Sequence, residues 1–314
     1  MSTMRSLPFV LTLSLFAAPA LAQSATQSHQ TVLLWPNGNP EPTKVTGPER
    51  DPTTDANRIV SGKVTVRITD VSQPSLTVYP TPVATNTGAA VLVFPGGGYQ
   101  HLAWNMEGIE VCDWLNSIGI TGVLVKYRVP ENGHYPANTE DLEDAQQAMR
   151  ITRAHAAEWH INPKKVGVIG FSAGAHLAVV ISTHPDFQSP NVPASTIDAR
   201  PNFQMVMYPG YLTGSIAHGE SGKVDAAIQP NDQTPPTFLV MAENDYTAHV
   251  ENALVYFQAL KDAKVPAELH LYTQGGHGFG LRPTDLPISH WPAIAEIWLH
   301  TIHILGPPAP VGRP

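Results

Sequence analysis

The chain has 314 residues, a net charge of −8 and no cluster of Lys or Arg, so it lacks the basic face that a nucleic-acid partner would need. A hydrophobic share of 42% excludes global disorder, and the length suits one large domain. Cys112 is the lone cysteine, which rules out an internal disulfide and a cysteine-based zinc site, while thirty prolines suit a loop-rich exported protein.

Arg5 is the only charge in the first 40 residues, and an apolar run from Leu7 to Ala18 ends at the small residues Ala20-Leu21-Ala22. This pattern predicts a secretory signal over 1–22, cleaved near Ala22. The apolar run falls short of the roughly 20 residues that cross a bilayer, so the expected product is soluble, periplasmic or secreted, with no membrane attachment after cleavage. The expected domains are the signal at 1–22, one catalytic domain over 23–306 and a flexible tail over 307–314.

Residues 23–62 are polar and rich in Pro and Gly apart from Val32 to Trp35, and predict an arm laid over the surface. Val64 to Ile68 and Leu76 to Tyr79 alternate apolar and polar, as strands with one solvated face do. Ala89 to Phe94 and Thr121 to Lys126 read as strands buried on both faces, with a helix over Ile109 to Ile118 between them. A long helix is expected from Asp141 to Trp159, a strand at Lys165 to Ile169 and a helix at Ala173 to Ser182. Further strands fall at Phe203 to Met207, Thr237 to Met241 and Glu268 to Tyr272, with helices at His249 to Ala263 and Pro292 to Leu305. This alternation predicts an α/β fold, a mainly parallel sheet with helices on both faces, entered through antiparallel strands and carrying no large lid. Sites in such sheets form at the carboxyl ends of strands.

The strongest motif stands at one of those ends. Gly170-Phe171-Ser172-Ala173-Gly174 follows a strand and opens a helix, the G-x-S-x-G setting of a nucleophile elbow. The sharp turn lifts the Ser172 hydroxyl clear of the sheet at a helix N-terminus, where unpaired N–H groups favour negative charge. Serine needs a base held by an acid, and in this arrangement they follow in the order Ser, Asp or Glu, His. His277 lies just past the last long strand in the glycine loop Gly275-Gly276-His277-Gly278, which singles it out among fourteen histidines. His290, His300 and His303 belong with the terminal helix, and His176 lies one turn along the nucleophile helix. Asp245 is preferred as the acid over Glu243, which sits nearer its strand and could tie the loop down, and over Asp232, which precedes the strand. Pro95-Gly96-Gly97-Gly98 follows an earlier buried strand, where the N–H groups of Gly97 and Gly98 can join that of Ala173 as an oxyanion hole.

Several stretches resemble the α/β-hydrolase serine esterases, particularly the bacterial carbohydrate acetylesterases of the acetylxylan esterase type. They are Leu92 to Gln100, Lys126-Tyr127-Arg128, Gly170 to Leu177, Asp245 with His249 to Leu254, and Gly275 to Leu281. Many relatives begin the glycine loop with His where this chain has Pro95. The resemblance implies a serine esterase that removes acetyl groups from plant polysaccharide or its fragments. It implies Ser172, Asp245 and His277 as the triad and Gly97, Gly98 and Ala173 as oxyanion donors, with no metal and no cofactor.

Short, polar segments after the nucleophile helix leave an open approach that suits acetylated sugar better than long-chain lipid. Tyr99, Trp104, Tyr127 and Tyr246 lie near strand ends and are candidates for stacking on a sugar face, with a place in the core as the alternative. His101 and His249 are candidates for supporting the triad. Two other classes stay open from the sequence: a hydrolase of other short-chain or aryl esters or of peptides, and a non-catalytic polysaccharide-binding protein that kept the fold.

Overall fold

The computed structural model describes residues 29–42, 44–55, 59–131, 133–214 and 222–307. The expected signal segment and all but the first residue of the expected tail lie outside the described residues. In chain order the strands are β1 (Gln30–Leu33), β2 (Ile59–Val60), β3 (Lys63–Val64), β4 (Ser75–Tyr79), β5 (Ala90–Phe94), β6 (Thr121–Lys126), β7 (Val166–Phe171), β8 (Gln204–Met207), β9 (Thr237–Ala242) and β10 (Ala267–Tyr272). The α-helices are α1 (Glu110–Ser117), α2 (Glu140–Ala154), α3 (Ala173–Thr183), α4 (Glu251–Asp262) and α5 (Trp291–Thr301).

Eight strands form one sheet in the order β1-β4-β6-β5-β7-β8-β9-β10. β4 runs against both of its neighbours, and from β6 to β10 every pairing is parallel. The central strands β5, β7, β8 and β9 are buried at every residue, which is why they read as unbroken apolar runs. The edge strands β1 and β10 are partly open to solvent along their lengths. Helices α2 and α3 pack on each other, and α1 meets α5 through the edge-on rings of Trp114 and Trp291.

The parallel frame follows the sequence pattern closely, and the departures have local causes. The expected arm contributes β1, where Val32 and its neighbours pair with β4 at the sheet edge. The alternation from Val64 to Ile68 gives a strand only at Lys63–Val64, which pairs with β2 as a small ribbon. Beyond it the backbone bonds to the segment after the glycine loop: Trp104 N–H donates to the Val66 carbonyl, and Ile68 and Leu102 exchange a pair of bonds. Helix α2 stops at Ala154, and Trp159 lies in the turn beyond it, where its indole N–H donates to Gln30 at 3.0 Å.

The register places the carboxyl ends of β5, β7, β9 and β10 along one rim of the sheet. The glycine loop, Ser172, the Asp245 loop and the His277 loop leave from those four ends in turn.

Candidate active site

Ser172 joins β7 to α3 with φ 52° and ψ −115°, a backbone conformation that side-chain-bearing residues rarely adopt. The neighbouring glycines make the turn feasible. A Cβ on Gly170 would overlap the carbonyl of Gly174, and one on Gly174 would overlap that of Phe94. The Ser172 N–H donates to the Met207 carbonyl at 3.0 Å, tying the turn to β8.

His277 Nε2 lies 2.9 Å from Ser172 Oγ, and its Nδ1 lies 2.7 Å from Asp245 Oδ2. The other carboxylate oxygen, Oδ1, accepts the N–H groups of Thr247 and Ala248, both at 2.9 Å, so only Oδ2 is left to face the imidazole. This fixes the proton on Nδ1 and leaves Nε2 to accept from the serine hydroxyl. The two loops are also joined directly. Asn244 Oδ1 accepts from the backbone of Gly275 at 3.0 Å and Gly276 at 2.9 Å, the loop-tying role for which the sequence makes Glu243 one candidate.

Gly97 has φ 139° and a Cβ there would overlap the His101 carbonyl, so the glycine loop folds as it does only without side chains. Among the described residues, the N–H groups of Gly97, Gly98 and Ala173 have no hydrogen-bond partner. The preceding N–H, of Gly96, donates to Glu107 Oε2 at 2.7 Å. Ser172, His277, Gly97 and Gly98 line a cavity of about 380 Å³ together with Met106 and Glu107. A larger groove of about 520 Å³ runs along the outer side of α4 past Leu254 and Gln258 and holds none of these groups. Among the described residues, no group of three or more His, Cys, Asp or Glu side chains could hold a metal ion.

Two of the four aromatic candidates are corrected. Tyr99, with φ 59°, is 2% exposed, and its hydroxyl meets His176 Nδ1 at 2.7 Å. Tyr127 is fully buried, and its hydroxyl donates to the Pro95 carbonyl at 2.6 Å. Neither reaches the cavity; both belong to the core beneath the glycine loop. Trp104 is half-buried against the core, outside the cavity lining. Tyr246 is 86% exposed, between Asp245 and the cavity-lining Thr247. His101 lines the cavity, where burial and then the Arg67 guanidinium lower its pKa. His249 stands at the start of α4 outside the cavity lining.

Sequence reasoning missed Glu107, Tyr208, Asn244 and Arg67. Glu107 is buried, and burial raises its pKa against the pull of the Tyr208 hydroxyl, the Gly96 N–H, His277 and Arg67. Burial and the adjoining Glu107 carboxyl push the Tyr208 phenol well above its ordinary range. Tyr208 directly follows the carboxyl end of β8, so the positional rule that found Ser172 also points to it.

The BD-FAE family matches residues 76–206 of the chain. An acetylxylan esterase from Xylanibacter ruminicola is 35% identical over 213 residues, covering 62% of this chain and 42% of that protein. Endo-1,4-beta-xylanase B of Butyrivibrio fibrisolvens is 29% identical over 203 residues, covering 60% and 32% respectively. The chain thus spans less than half the length of these two curated relatives. The crystal structure of an acetyl ester-xyloside bifunctional hydrolase from Caldicellulosiruptor lactoaceticus is 32% identical with a TM-score of 0.66, over 88% of this chain and 97% of that one. With 97% of that chain matched at 32% identity, the chain belongs to the α/β-hydrolase serine esterase family, in the part of it that resembles the carbohydrate acetylesterases.

Proposed function

We propose that the protein is a carboxylic ester hydrolase that removes acetyl groups from xylan-type carbohydrate, with Ser172, His277 and Asp245 as its triad. The observation that carries this reading is the continuous chain of hydrogen bonds from Ser172 Oγ through the imidazole to Asp245, at 2.9 and 2.7 Å. Ser172 Oγ attacks the ester carbonyl as its proton passes to His277 Nε2. The carbonyl oxygen, now negative, is received by the N–H groups of Ala173, Gly97 and Gly98. The tetrahedral adduct collapses, the C–O bond to the sugar breaks, and the alcohol leaves with the proton from Nε2. Water then enters, gives its proton to Nε2, attacks the acetyl-serine and releases acetate as Ser172 regains its proton. Asp245 holds the ring and stabilises its charged form.

The glycine loop and Met106 enclose a cavity small enough to favour a short acyl group, and exposed Tyr246 at its rim offers a face for a sugar ring. Glycoside cleavage, which the names of two relatives include, calls for a pair of carboxyls about the scissile bond. Among the described residues, Glu107 is the only carboxylate lining the cavity, and both of its oxygens are already engaged. The signal-like start of the chain supports export, which places the enzyme where polymeric substrate is found.

The test is twofold. A fluorophosphonate probe should label the wild type and not Ser172→Ala; equal labelling of both would end the serine assignment. Acetate release from acetylated xylan, measured beside hydrolysis of p-nitrophenyl butyrate and of peptide amides, reads the substrate class. A preference for the butyrate ester or the amide would replace the carbohydrate reading.

A further inference from the structure

Among the described residues Glu107 is the one carboxylate lining the cavity, and the proposed acyl transfer leaves it without a task. It is 3% exposed and sits in a wide helical turn, Asn105–Ile109, just before α1. Such turns interrupt regular helix at some energetic cost and recur at functional sites.

Its two oxygens point to two different loops. Oε2 accepts the N–H of Gly96 at 2.7 Å, and Oε1 accepts the hydroxyl of Tyr208 at 2.8 Å. The Tyr208 oxygen also accepts the N–H of Gly280 at 3.3 Å, and its ring stands edge-on to the His277 imidazole with centroids 5.2 Å apart. A single side chain therefore ties the glycine loop to the end of β8 and, through Tyr208, to the histidine loop. The tie to Gly96 matters because the next two peptide units carry the N–H groups of Gly97 and Gly98. Holding the Gly96 N–H sets the plane from which those groups are aimed. A Cβ on Gly96 would meet both Glu107 Oε2 and the Ser172 Cβ, so the carboxylate and the serine crowd the same stretch of backbone.

We infer that Glu107 is a positioning residue of the acyl transfer, aiming the glycine-loop N–H groups at the oxyanion and setting a carboxylate near the His277 imidazole as that ring takes up a proton. The inference rests on the serine mechanism proposed above. Two donors converging on its two oxygens is the pattern that an ionised carboxylate accepts. In a site shielded from water, a charge at this place acts more strongly than it would in bulk solvent. The charged and titratable groups facing the pair are Asp245, Ser172 and Tyr208 around the imidazole, Arg67 and His101 on the cavity wall, and Tyr127 beneath the glycine loop.

The experiment uses the whole chain with p-nitrophenyl acetate, measured from about pH 5 to about pH 9, in wild type, Glu107→Gln, Tyr208→Phe and Ser172→Ala. Glutamine keeps the shape but loses the charge and one acceptor. Its kcat should fall by roughly 10- to 100-fold with KM held within about twofold. The acid limb of its kcat/KM profile should move to lower pH, because the imidazolium has lost a neighbouring negative charge. Tyr208→Phe keeps the carboxylate, so it should lower kcat several-fold and leave the limb in place.

A folded Glu107→Gln with kcat within about twofold of wild type would overturn the inference, as would a lowered kcat with an unmoved limb, which marks a purely structural prop. If Glu107→Gln fails to fold, Tyr208→Phe decides the aiming of the loops: kcat reduced several-fold with KM held within about twofold supports the inference, and wild-type kcat or a change in KM alone overturns it. Activity remaining in Ser172→Ala would instead undo the serine mechanism itself, a result separate from an inactive Ser172→Ala beside an unaffected Glu107→Gln.

Discussion

The Tyr127 hydroxyl donates to the Pro95 carbonyl at 2.6 Å, so a side chain at the end of β6 holds the first residue of the glycine loop. Pro95 brings neither an N–H nor a polar side chain of its own. The loop is braced from outside, by Tyr127 at Pro95 and Glu107 at Gly96. Tyr127→Phe leaves a buried carbonyl unpaired, at a cost of about 1–3 kcal/mol. The expected result is a lower melting temperature with kcat for p-nitrophenyl acetate reduced by about tenfold, because the oxyanion donors lose their anchor. Kinetics and thermal unfolding on one preparation check it; unchanged kcat would mean that the glycines hold their shape unaided.

Asp245→Asn separates orientation from charge. The Thr247 and Ala248 N–H groups would keep the amide oxygen where Oδ1 now lies, which turns the amide nitrogen toward His277. The imidazole then meets a donor at Nδ1 and is driven to carry its proton on Nε2, where it cannot accept from Ser172. The expected loss in kcat is on the order of 10⁴-fold with the fold intact, as for the same change in other triads. Steady-state rates beside circular dichroism read it. A loss below about tenfold would show that another group orients the ring.

The serine, acid and histidine loops were legible because each follows a buried strand whose apolar run stands out, and chain order fixes which loop comes where. Gly170, Gly174 and Gly97 carry a steric demand that sequence shows directly, since only glycine fits at those backbone approaches. Glu107 and Arg67 were not legible, because what defines them is contact across distant segments. Nothing in Asn105-Met106-Glu107-Gly108 says that its acid will meet Tyr208, about a hundred positions later. Tyr99 and Tyr127 misled for the same reason: position near a strand end gives the rim but not the direction of the ring, and both rings are buried.

Arg282 supports the cavity from behind. It is fully buried and donates to the carbonyls of Val60 at 2.7 Å, Lys63 at 3.0 Å and Val64 at 3.0 Å, and to both oxygens of Glu110. It thereby fastens the ribbon of β2 and β3, which supplies Val60 to the cavity wall, to the chain just after His277. Lysine offers three donors on a flexible stem and cannot reproduce this planar fork. Arg282→Lys should lose about 2–3 kcal/mol in urea unfolding and raise KM more than it lowers kcat, since the wall shifts while the triad stays. An effect on kcat alone would place the coupling in the histidine loop instead.

Asp141, at the start of α2, is fully buried; burial pushes its pKa up to about 7 from 3.8, and the Leu142 N–H pulls part of that back. One of its oxygens, Oδ2, has no protein partner. In the window between these two values the folded chain holds a proton that the unfolded chain has released, so this group's contribution to stability is complete below about 4 and is lost as pH rises through about 7. Glu143, pushed up to about 7 by burial, acts in the same direction and window. Asp141→Asn removes this group and leaves Glu143 and Glu131, the latter pushed up to about 11 by burial. It should match wild type near pH 5 and be the more stable protein near pH 8, so that its unfolding free energy declines less across that range. Urea titrations at the two pH values measure the difference. Parallel curves would mean that Asp141 is already ionised in the folded protein throughout, held by the nearby Arg128 guanidinium rather than by a proton.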